Sequence, residues 1–325
     1  MLEKLVEKSK KYVSKIFGKI GIKINIVEKT YLNKIIDKYN IDIIHCPYQF
    51  IPKINGVKLI STMHDVQELY FPEFFSADER AYRAVNYLDF IKRSDKIIVS
   101  YQHIKNDLVK FFGVKQNLIS ILLLKMDNLW YSKFNNNDIK TLDIKFDKYI
   151  FYPANSWFHK NHLNLIRTIY YLKTQKDLKI NILFTGDFKS EQGEFIKSEI
   201  KKLDLEQQIT ILGIVSEEEL YSIYQHTQGV VIPTLYEAGS FPLMESILMN
   251  IPVICSNVTS LPETIGNLEF TFNPNSIEDI ADKIQKLWND ENYRNLSIKN
   301  NNKQRERLIE TGARTILSTI YKELI

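Results

Sequence analysis

The sequence has few cysteines and no long apolar run. Only two of its 325 residues are cysteines, Cys46 and Cys255, and both lie in apolar, strand-like contexts, which fits a reducing cytoplasm. No apolar stretch approaches the ~20 residues that span a bilayer. The N-terminus also lacks the uninterrupted apolar segment and small-residue cleavage site of a secretory signal, so neither a membrane-spanning helix nor secretion is expected.

Charge of either sign is nearly balanced, with 43 lysines and arginines against 39 acidic residues. An excess of four positive charges is modest, and no run of basic residues alternates with stacking aromatics, so a nucleic-acid partner is not expected. The length and the apolar fraction suit two globular domains of ordinary size.

Short apolar runs alternate with amphipathic segments along the chain. This alternation predicts a parallel, doubly wound α/β architecture. The predicted strands cover 41–47, 57–63, 95–100, 117–124, 149–153, 180–186, 209–213, 229–233 and 251–255, and the predicted helices cover 77–93, 102–112, 161–174, 216–227, 277–289 and 301–324. The polar segment 127–147 is predicted to be an interdomain linker.

The segment 231–256 carries the strongest functional signal. A buried strand is followed by a loop with Glu237 and Gly239, and then by a helix that is expected to open at Pro242 and stop near Asn250. Strand, loop and helix N-terminus form the arrangement that binds phosphorylated ligands at the carboxyl edge of an open α/β sheet. Backbone N–H groups near Ser240, Phe241, Leu243 and Met244 are predicted to face a pyrophosphate.

Two carboxylates in this segment, Glu237 and Glu245, would repel a bound anion unless each accepts hydrogen bonds from hydroxyl groups. They therefore suggest a ligand with both phosphate and sugar parts. Surface acids at a helix N-terminus are the alternative interpretation.

The spacing of Glu237 and Glu245 around Ala-Gly-Ser-Phe-Pro-Leu-Met resembles the E-x7-E motif of the retaining nucleotide-sugar glycosyltransferases of family 4. Residues 45–49, 62–67 and 71–75 are similar to segments of the N-terminal domain of the bacterial enzymes. Residues 152–162 look like the phosphate-binding loop that opens their C-terminal domain, and residues 260–263 also match.

The resemblance implies a GT-B fold, in which two Rossmann-like domains face each other across a cleft. The expected N-terminal, acceptor-side domain covers 1–135 and lacks the family's usual first strand. The nucleotide-sugar domain covers 148–305, and a C-terminal helix over 306–325 is expected to return to the N-terminal domain.

Site residues follow from the resemblance, position by position. It implies that Glu237 binds hydroxyls of the donor sugar, that Glu245 binds the ribose, and that Lys160 is the cation on the pyrophosphate. His64 is expected to face the donor sugar, with a histidine satisfied at a strand end as the alternative.

Further binding residues are expected beside the nucleotide. These are Asn155, Gly186, Val215, Gly239, Ser240, Phe241 and Leu243. Asn155 stands where the family usually has an arginine, so it can donate a hydrogen bond but supplies no charge. Gly186 and Gly213 admit either a close approach of backbone to nucleotide or a plain turn.

No cofactor or metal is expected, since the sequence has no D-x-D pair. His159 and His162 have ligand-like spacing without a cysteine or carboxylate cluster beside them. No Walker loop or G-x-S-x-G motif is present.

The resemblance predicts transfer of a hexose from a nucleoside-diphosphate sugar to a hydroxyl of a glycan or lipid-linked glycan. A non-catalytic nucleotide-sugar-binding or scaffold subunit, and a GT-B-fold sugar-nucleotide epimerase, are the alternatives. The expected location is the cytoplasm or the inner face of its membrane. Residues 1–20 would contact anionic lipid as a basic amphipathic helix, or else pack on the core with a solvated lysine face.

Overall fold

The computed structural model describes residues 31–126, 130–134 and 144–325. The predicted amphipathic helix over 1–20 and most of the predicted linker lie outside these ranges. The chain divides into two compact units. The smaller unit contributes described residues 31–44 and 52–57, and the larger one comprises 45–51 and 58–325.

The strands confirm the predicted α/β class, because they form two sheets whose described strand pairs are parallel. The four-stranded sheet has the order β1-β2-β3-β4, and the six-stranded sheet has the order β10-β9-β8-β5-β6-β7. The strands are β1 Ile43–Cys46, β2 Lys58–Met63, β3 Lys96–Val99, β4 Ile119–Ile121, β5 Ile150–Pro153, β6 Ile182–Thr185, β7 Ile209–Gly213, β8 Gly229–Ile232, β9 Val253–Ser256 and β10 Thr271–Phe272.

Helices connect most of these strands, as is usual in parallel sheets, although none lies between β1 and β2. They are α1 Tyr31–Tyr39, α2 Gln67–Tyr70, α3 Ala77–Arg93, α4 Gln102–Phe112, α5 His162–Gln175, α6 Glu191–Lys202, α7 Glu217–His226, α8 Phe241–Leu248, α9 Leu261–Ile265, α10 Ile277–Asn289, α11 Glu291–Ile309 and α12 Ala313–Leu324. In the part of the chain that the structure describes, no helix is both long and apolar enough to cross a bilayer.

Local sequence explains where several helices begin. Ser76 and Ser216 each form a capping box, in which the serine hydroxyl accepts from the main-chain N–H three residues on and the glutamate there accepts in return. Helix α3 begins and ends where the sequence predicts. The core of the six-stranded half is built from strands that are almost wholly buried, such as β6 and β9.

The C-terminal end differs from the predicted single helix over 301–324. The structure has two helices, α11 and α12, because Gly312 adopts a left-handed conformation (φ 65°) and breaks the helical path. Helix α12 contacts the four-stranded sheet, as expected of a returning C-terminal helix. Tyr321 Oη lies 2.8 Å from His45 Nδ1 in β1, and Glu323 lies 3.4 Å from Lys96 Nζ in β3.

Candidate functional site

A buried ion pair joins two of the residues predicted to act on a donor. Lys160 Nζ donates to Glu237 Oε1 at 2.6 Å, and the two side chains are only 15% and 9% exposed. Burial raises the pKa of Glu237, and the charge of Lys160 opposes that rise. The structure therefore brings a cation and a carboxylate together in a poorly solvated place, where each depends on the other.

Three loops at the carboxyl edge of the six-stranded sheet fix the position of Lys160. Tyr152 Oη donates to the Lys160 carbonyl at 2.6 Å, and the Leu235 N–H donates to the His159 carbonyl at 2.8 Å. Asn161 adopts a left-handed conformation (φ 60°), and its Nδ2 donates to the carbonyls of Pro233 (2.8 Å) and Pro274 (3.0 Å). Sequence reasoning missed Asn161, although asparagine is among the residues that tolerate this conformation.

The main chain of Glu237 is also held on both sides. Its N–H donates to Thr259 Oγ1 at 3.0 Å, and Ser260 Oγ donates to its carbonyl at 2.9 Å. Thr259 has a positive φ of 51°, which is uncommon for a β-branched residue. Such strain persists only where the surrounding structure holds the residue in place. Here the conformation places the Thr259 hydroxyl against the Glu237 amide.

Glu245 accepts hydrogen bonds from two aromatic side chains. Trp130 Nε1 donates to its Oε1 at 2.8 Å, and Tyr224 Oη donates to its Oε2 at 3.0 Å. Burial raises the pKa of Glu245, and these two bonds oppose the rise because they stabilise the ionised form. Trp130 belongs to the segment interpreted as a linker, so its role could not be read from the sequence.

A cavity of about 470 Å³ gathers six of the predicted residues, and we call it the Lys160 cavity. Those on its wall are Asn155, Lys160, Gly186, Val215, Phe241 and Glu245, and the other lining residues are Pro153, Ala154, Trp157, Thr185, Ile214, Leu220 and Pro242. Its volume is in the range of ordinary ligand pockets. A cation, a carboxylate and a helix N-terminus therefore border one space.

Gly186 and Asn155 shape one wall of this cavity. At Gly186 the backbone has φ 128°, and an added Cβ would lie 2.6 Å from the Ala154 carbonyl oxygen, so only glycine fits. Asn155 Oδ1 accepts from the Asp187 N–H at 2.8 Å, which leaves its Nδ2 as the donor that a ligand could use.

The helix tip beside the cavity differs by one residue from the prediction. Helix α8 begins at Phe241, not Pro242, and Ser240 is its N-cap. The Ser240 side chain makes no capping bond, and its Oγ is buried without a hydrogen-bond partner among the described residues. Met244 N–H bonds the Ser240 carbonyl at 3.0 Å, so the earlier amides of Phe241 and Leu243 have no helical acceptor.

Leu243 and Gly239 do not line the Lys160 cavity. The Leu243 side chain is fully buried, so only its main chain is left to meet a ligand. An added Cβ at Gly239 would lie 3.2 Å from Tyr101 Cε2, a tight approach between the loop and a neighbouring aromatic ring.

His64 does not line the Lys160 cavity. Its Nε2 lies 3.2 Å from the Pro47 carbonyl oxygen, at the carboxyl edge of the four-stranded sheet. The loop that carries it is nevertheless joined to the Glu237 loop, because the Val66 N–H donates to Tyr236 Oη at 3.2 Å. The structure thus links the two loops without bringing the imidazole itself to the cavity wall.

Of the two histidines with ligand-like spacing, His162 packs in the core. His162 is buried against the rings of Tyr152, Phe184 and Phe188, and burial lowers its pKa to about 3. Burial, with the nearby Lys160 charge, lowers the pKa of His159 to about 4. No cluster of three or more His, Cys, Asp or Glu suited to a metal occurs within the described ranges. Independence from metal stays a prediction.

Comparison with known families gives two matches. Residues 134–308 match the family described as glycosyl transferases group 1, and residues 12–122 match glycosyltransferase family 4.

Among curated proteins, the O-antigen chain mannosyltransferase B of Escherichia coli is 21% identical over 258 residues, which are 78% of this chain and 67% of that protein. The O-antigen chain mannosyltransferase RfbU of Salmonella typhimurium is 24% identical over 238 residues, or 70% and 63%. The chain thus matches about two thirds of the length of these relatives.

Solved structures show the same fold. A sucrose-phosphate synthase from Thermosynechococcus elongatus superposes with a TM-score of 0.71 and 17% identity, covering 90% of this chain and 76% of that one. Anabaena HepE, in complex with UDP and glucose, gives a TM-score of 0.65 and 18% identity, covering 82% and 71%. The predicted GT-B architecture is confirmed by this likeness.

Proposed function

Because this chain belongs to the glycosyl transferases of group 1, we propose that it transfers a hexose from a nucleoside-diphosphate sugar to a hydroxyl of a glycan or lipid-linked glycan, with retention at the anomeric carbon. Mannose is the hexose we favour, since curated relatives are named as O-antigen mannosyltransferases. We further propose that the reaction takes place in the cytoplasm, at or near the inner face of the membrane, and needs no metal ion.

The observation that carries this proposal is the convergence of Lys160, Glu245 and the start of α8 on one cavity, with Glu237 bonded to Lys160. Lys160 and the open amides of Phe241 and Leu243 would bind the diphosphate. Glu245 would bind the ribose diol, which a carboxylate with remaining acceptor capacity suits. Glu237 would accept from hydroxyls of the donor sugar.

In the proposed reaction, the bond from the anomeric carbon to the diphosphate oxygen breaks while a bond to the acceptor oxygen forms. The proton of the acceptor hydroxyl passes to the departing diphosphate. Lys160 and the helix tip stabilise the negative charge as it grows on that oxygen. Electrostatic stabilisation of this kind is commonly the largest single contribution to catalysis. An ammonium carries three donors, so Lys160 can hold Glu237 and a phosphate oxygen together.

The test combines purified protein with GDP-mannose and a panel of UDP-, GDP- and ADP-sugars, with and without EDTA. We expect one donor to be consumed in EDTA, with transfer to a glycan hydroxyl, and the anomeric configuration of the product to be retained by NMR. Glu237→Gln should lower the rate on the order of 100-fold or more, as removal of one stabilising group does elsewhere.

Glu194→Gln is the matched control, because Glu194 is an exposed partner of Lys197 on α6 and should leave the rate unchanged. The proposal fails if none of the sugar nucleotides binds to the protein in calorimetry. A protein that binds a donor but neither transfers nor hydrolyses it would be a binding subunit, and an isomerised donor without acceptor would indicate an epimerase.

A further inference from the structure

A second cavity, of about 470 Å³, lies in the four-stranded half, between α3 and the loop after β1, and we call it the Tyr82 cavity. It shares no lining residue with the Lys160 cavity. We infer that the Tyr82 cavity binds neutral hexose units of the acceptor glycan. This inference rests on the proposed glycosyl transfer and adds to it a location and a chemical class for the acceptor.

Two aromatic rings at this cavity are left open to solvent. Tyr82 is 71% exposed and Phe50 is 60% exposed, and neither ring stacks on another side chain in the described part of the chain. Aromatic rings offer a large apolar surface at low conformational cost, and tyrosine adds a hydroxyl at its end. The apolar C–H face of a hexose ring is a matching surface, because it is flat and bordered by hydroxyls.

The polar groups beside these rings are mainly acceptors. Asn86 Nδ2 donates to the Tyr82 carbonyl at 2.7 Å, so its Oδ1 is left for a ligand. Gln49 Nε2 donates to Tyr87 Oη at 2.7 Å and to the Asp65 carbonyl at 3.0 Å, so its Oε1 is likewise left. The carboxylate of Asp78 adds two more acceptors on the same wall.

This balance of groups favours hydroxyls over anions. The one arginine on the wall, Arg83, already uses Nη1 to bond Glu68 (3.0 Å) and Asp65 (3.3 Å). Asp78 and Glu79 line the same cavity, so a phosphate or carboxylate ligand would be repelled. Hydroxyl groups of a neutral sugar can instead donate to the available oxygens.

The position of the cavity connects it with the donor side. Gln49 and Arg83, both on its wall, bond Asp65, the residue after His64. The next residue, Val66, donates to Tyr236, which precedes Glu237. The wall of the Tyr82 cavity is therefore bonded to the same loop that is bonded to the Glu237 loop.

The experiment measures binding of α-linked mannotetraose and of maltotetraose to the whole protein by saturation-transfer NMR and calorimetry. Tyr82→Ala and Phe50→Ala are the two rim variants. Both side chains are exposed, so neither substitution should affect folding. Phe195→Ala on α6 and Tyr170→Ala on α5 are matched controls, being exposed aromatics of the other half.

We expect the wild type to bind at least one tetrasaccharide, and each rim variant to bind it roughly tenfold more weakly, as for central aromatic contacts elsewhere. The controls should bind as the wild type does. With an accepted glycan, the rim variants should raise its KM and leave hydrolysis of the donor by water unchanged.

Equal affinity of the wild type and both rim variants would overturn the inference, and so would a wild type that binds neither tetrasaccharide. Failure of the proposed function is a separate result, since it shows as lack of sugar-nucleotide binding whatever the oligosaccharide does. The thermal shift induced by UDP or GDP measures nucleotide binding separately. It should be the same in the wild type, the two rim variants and the two controls.

Discussion

The two cavities are built in different ways. The Lys160 cavity depends on main-chain geometry and buried charge, as shown by Gly186, which has no room for a side chain, and by the hydrogen bonds that fix Glu237. The Tyr82 cavity presents exposed side chains on an ordinary helix, with no strained residue on its wall.

This difference has a physical reason. A diphosphate needs donors and a cation in fixed places, and donors held by backbone lose little freedom when the anion arrives. A neutral glycan is bound by flat surfaces and scattered acceptors, which exposed side chains supply. Substitutions should therefore affect both folding and function in the first cavity, and function alone at the rim of the second.

The largest expected effect is at the Lys160–Glu237 pair. Lys160→Met leaves the Glu237 carboxylate buried without its cation, and Glu237→Leu leaves the ammonium alone. Each should lower the free energy of unfolding by about 3–5 kcal/mol at pH 7, whereas the double variant should recover most of that loss. Denaturant melts of the wild type, the two single variants and the double variant measure this double-mutant cycle. All three variants should also lose glycosyl transfer.

The exposed pair Lys197–Glu194 is the control for this cycle. Its nitrogen and oxygen lie 2.7 Å apart, yet solvent screens both groups, so its coupling should be under about 0.5 kcal/mol. Losses at Lys160 and Glu237 that simply add in the double variant would show that the buried pair is not coupled, and would remove the main contrast between the cavities.

The sequence predicted much of the Lys160 cavity and nothing of the Tyr82 cavity. The alternation of apolar runs with amphipathic segments and the E-x7-E spacing are local signals, and they located nine of the ten described strands, α3 and the acids at 237 and 245. Thr259 and Trp130 were missed because their roles are contacts with residues 22 and 115 positions away. No local pattern encodes such contacts.

One helix end was missed although the sequence carries a local signal for it. Helix α11 ends at Ile309 and α12 begins at Ala313, and Gly312 between them has left-handed backbone, which glycine commonly supplies after a helix C-terminus. The Tyr82 cavity was not predicted at all, because Gln49, Phe50 and α3 meet only in the folded chain.

An intermediate effect is expected at Arg83, which tests whether the four-stranded half also depends on buried charge. Glu68 is 5% exposed and pairs with Arg83 at 3.0 Å. Burial raises the pKa of Glu68, and Arg83 opposes that rise. Arg83→Met should therefore raise this pKa further and lower the free energy of unfolding by about 1–3 kcal/mol at pH 7.

The sign of the pH dependence follows from the raised pKa. When the folded-state pKa lies above the unfolded-state value, folding favours the protonated carboxyl, so stability is lost as pH rises through the folded-state value. The deficit of Arg83→Met should accordingly be larger at pH 7 than at pH 5 in urea melts. Lys92→Met, at an exposed position of the same helix, is the control. A deficit that is equal at both pH values would contradict the argument.

The smallest expected effect compares two serines at helix N-caps. Ser76 in the four-stranded half accepts from the Glu79 N–H at 3.2 Å, whereas Ser240 makes no capping bond. Ser76→Ala should cost about 1 kcal/mol of stability and leave diphosphate affinity unchanged. Ser240→Ala should cost under about 0.5 kcal/mol, yet weaken UDP or GDP binding roughly tenfold, because the buried Ser240 hydroxyl would donate to the anion.

Thermal melts and calorimetry of the two variants measure both quantities. If Ser240→Ala destabilised the protein as much as Ser76→Ala and bound nucleotide normally, the Ser240 hydroxyl would be a structural cap and not a donor to the diphosphate.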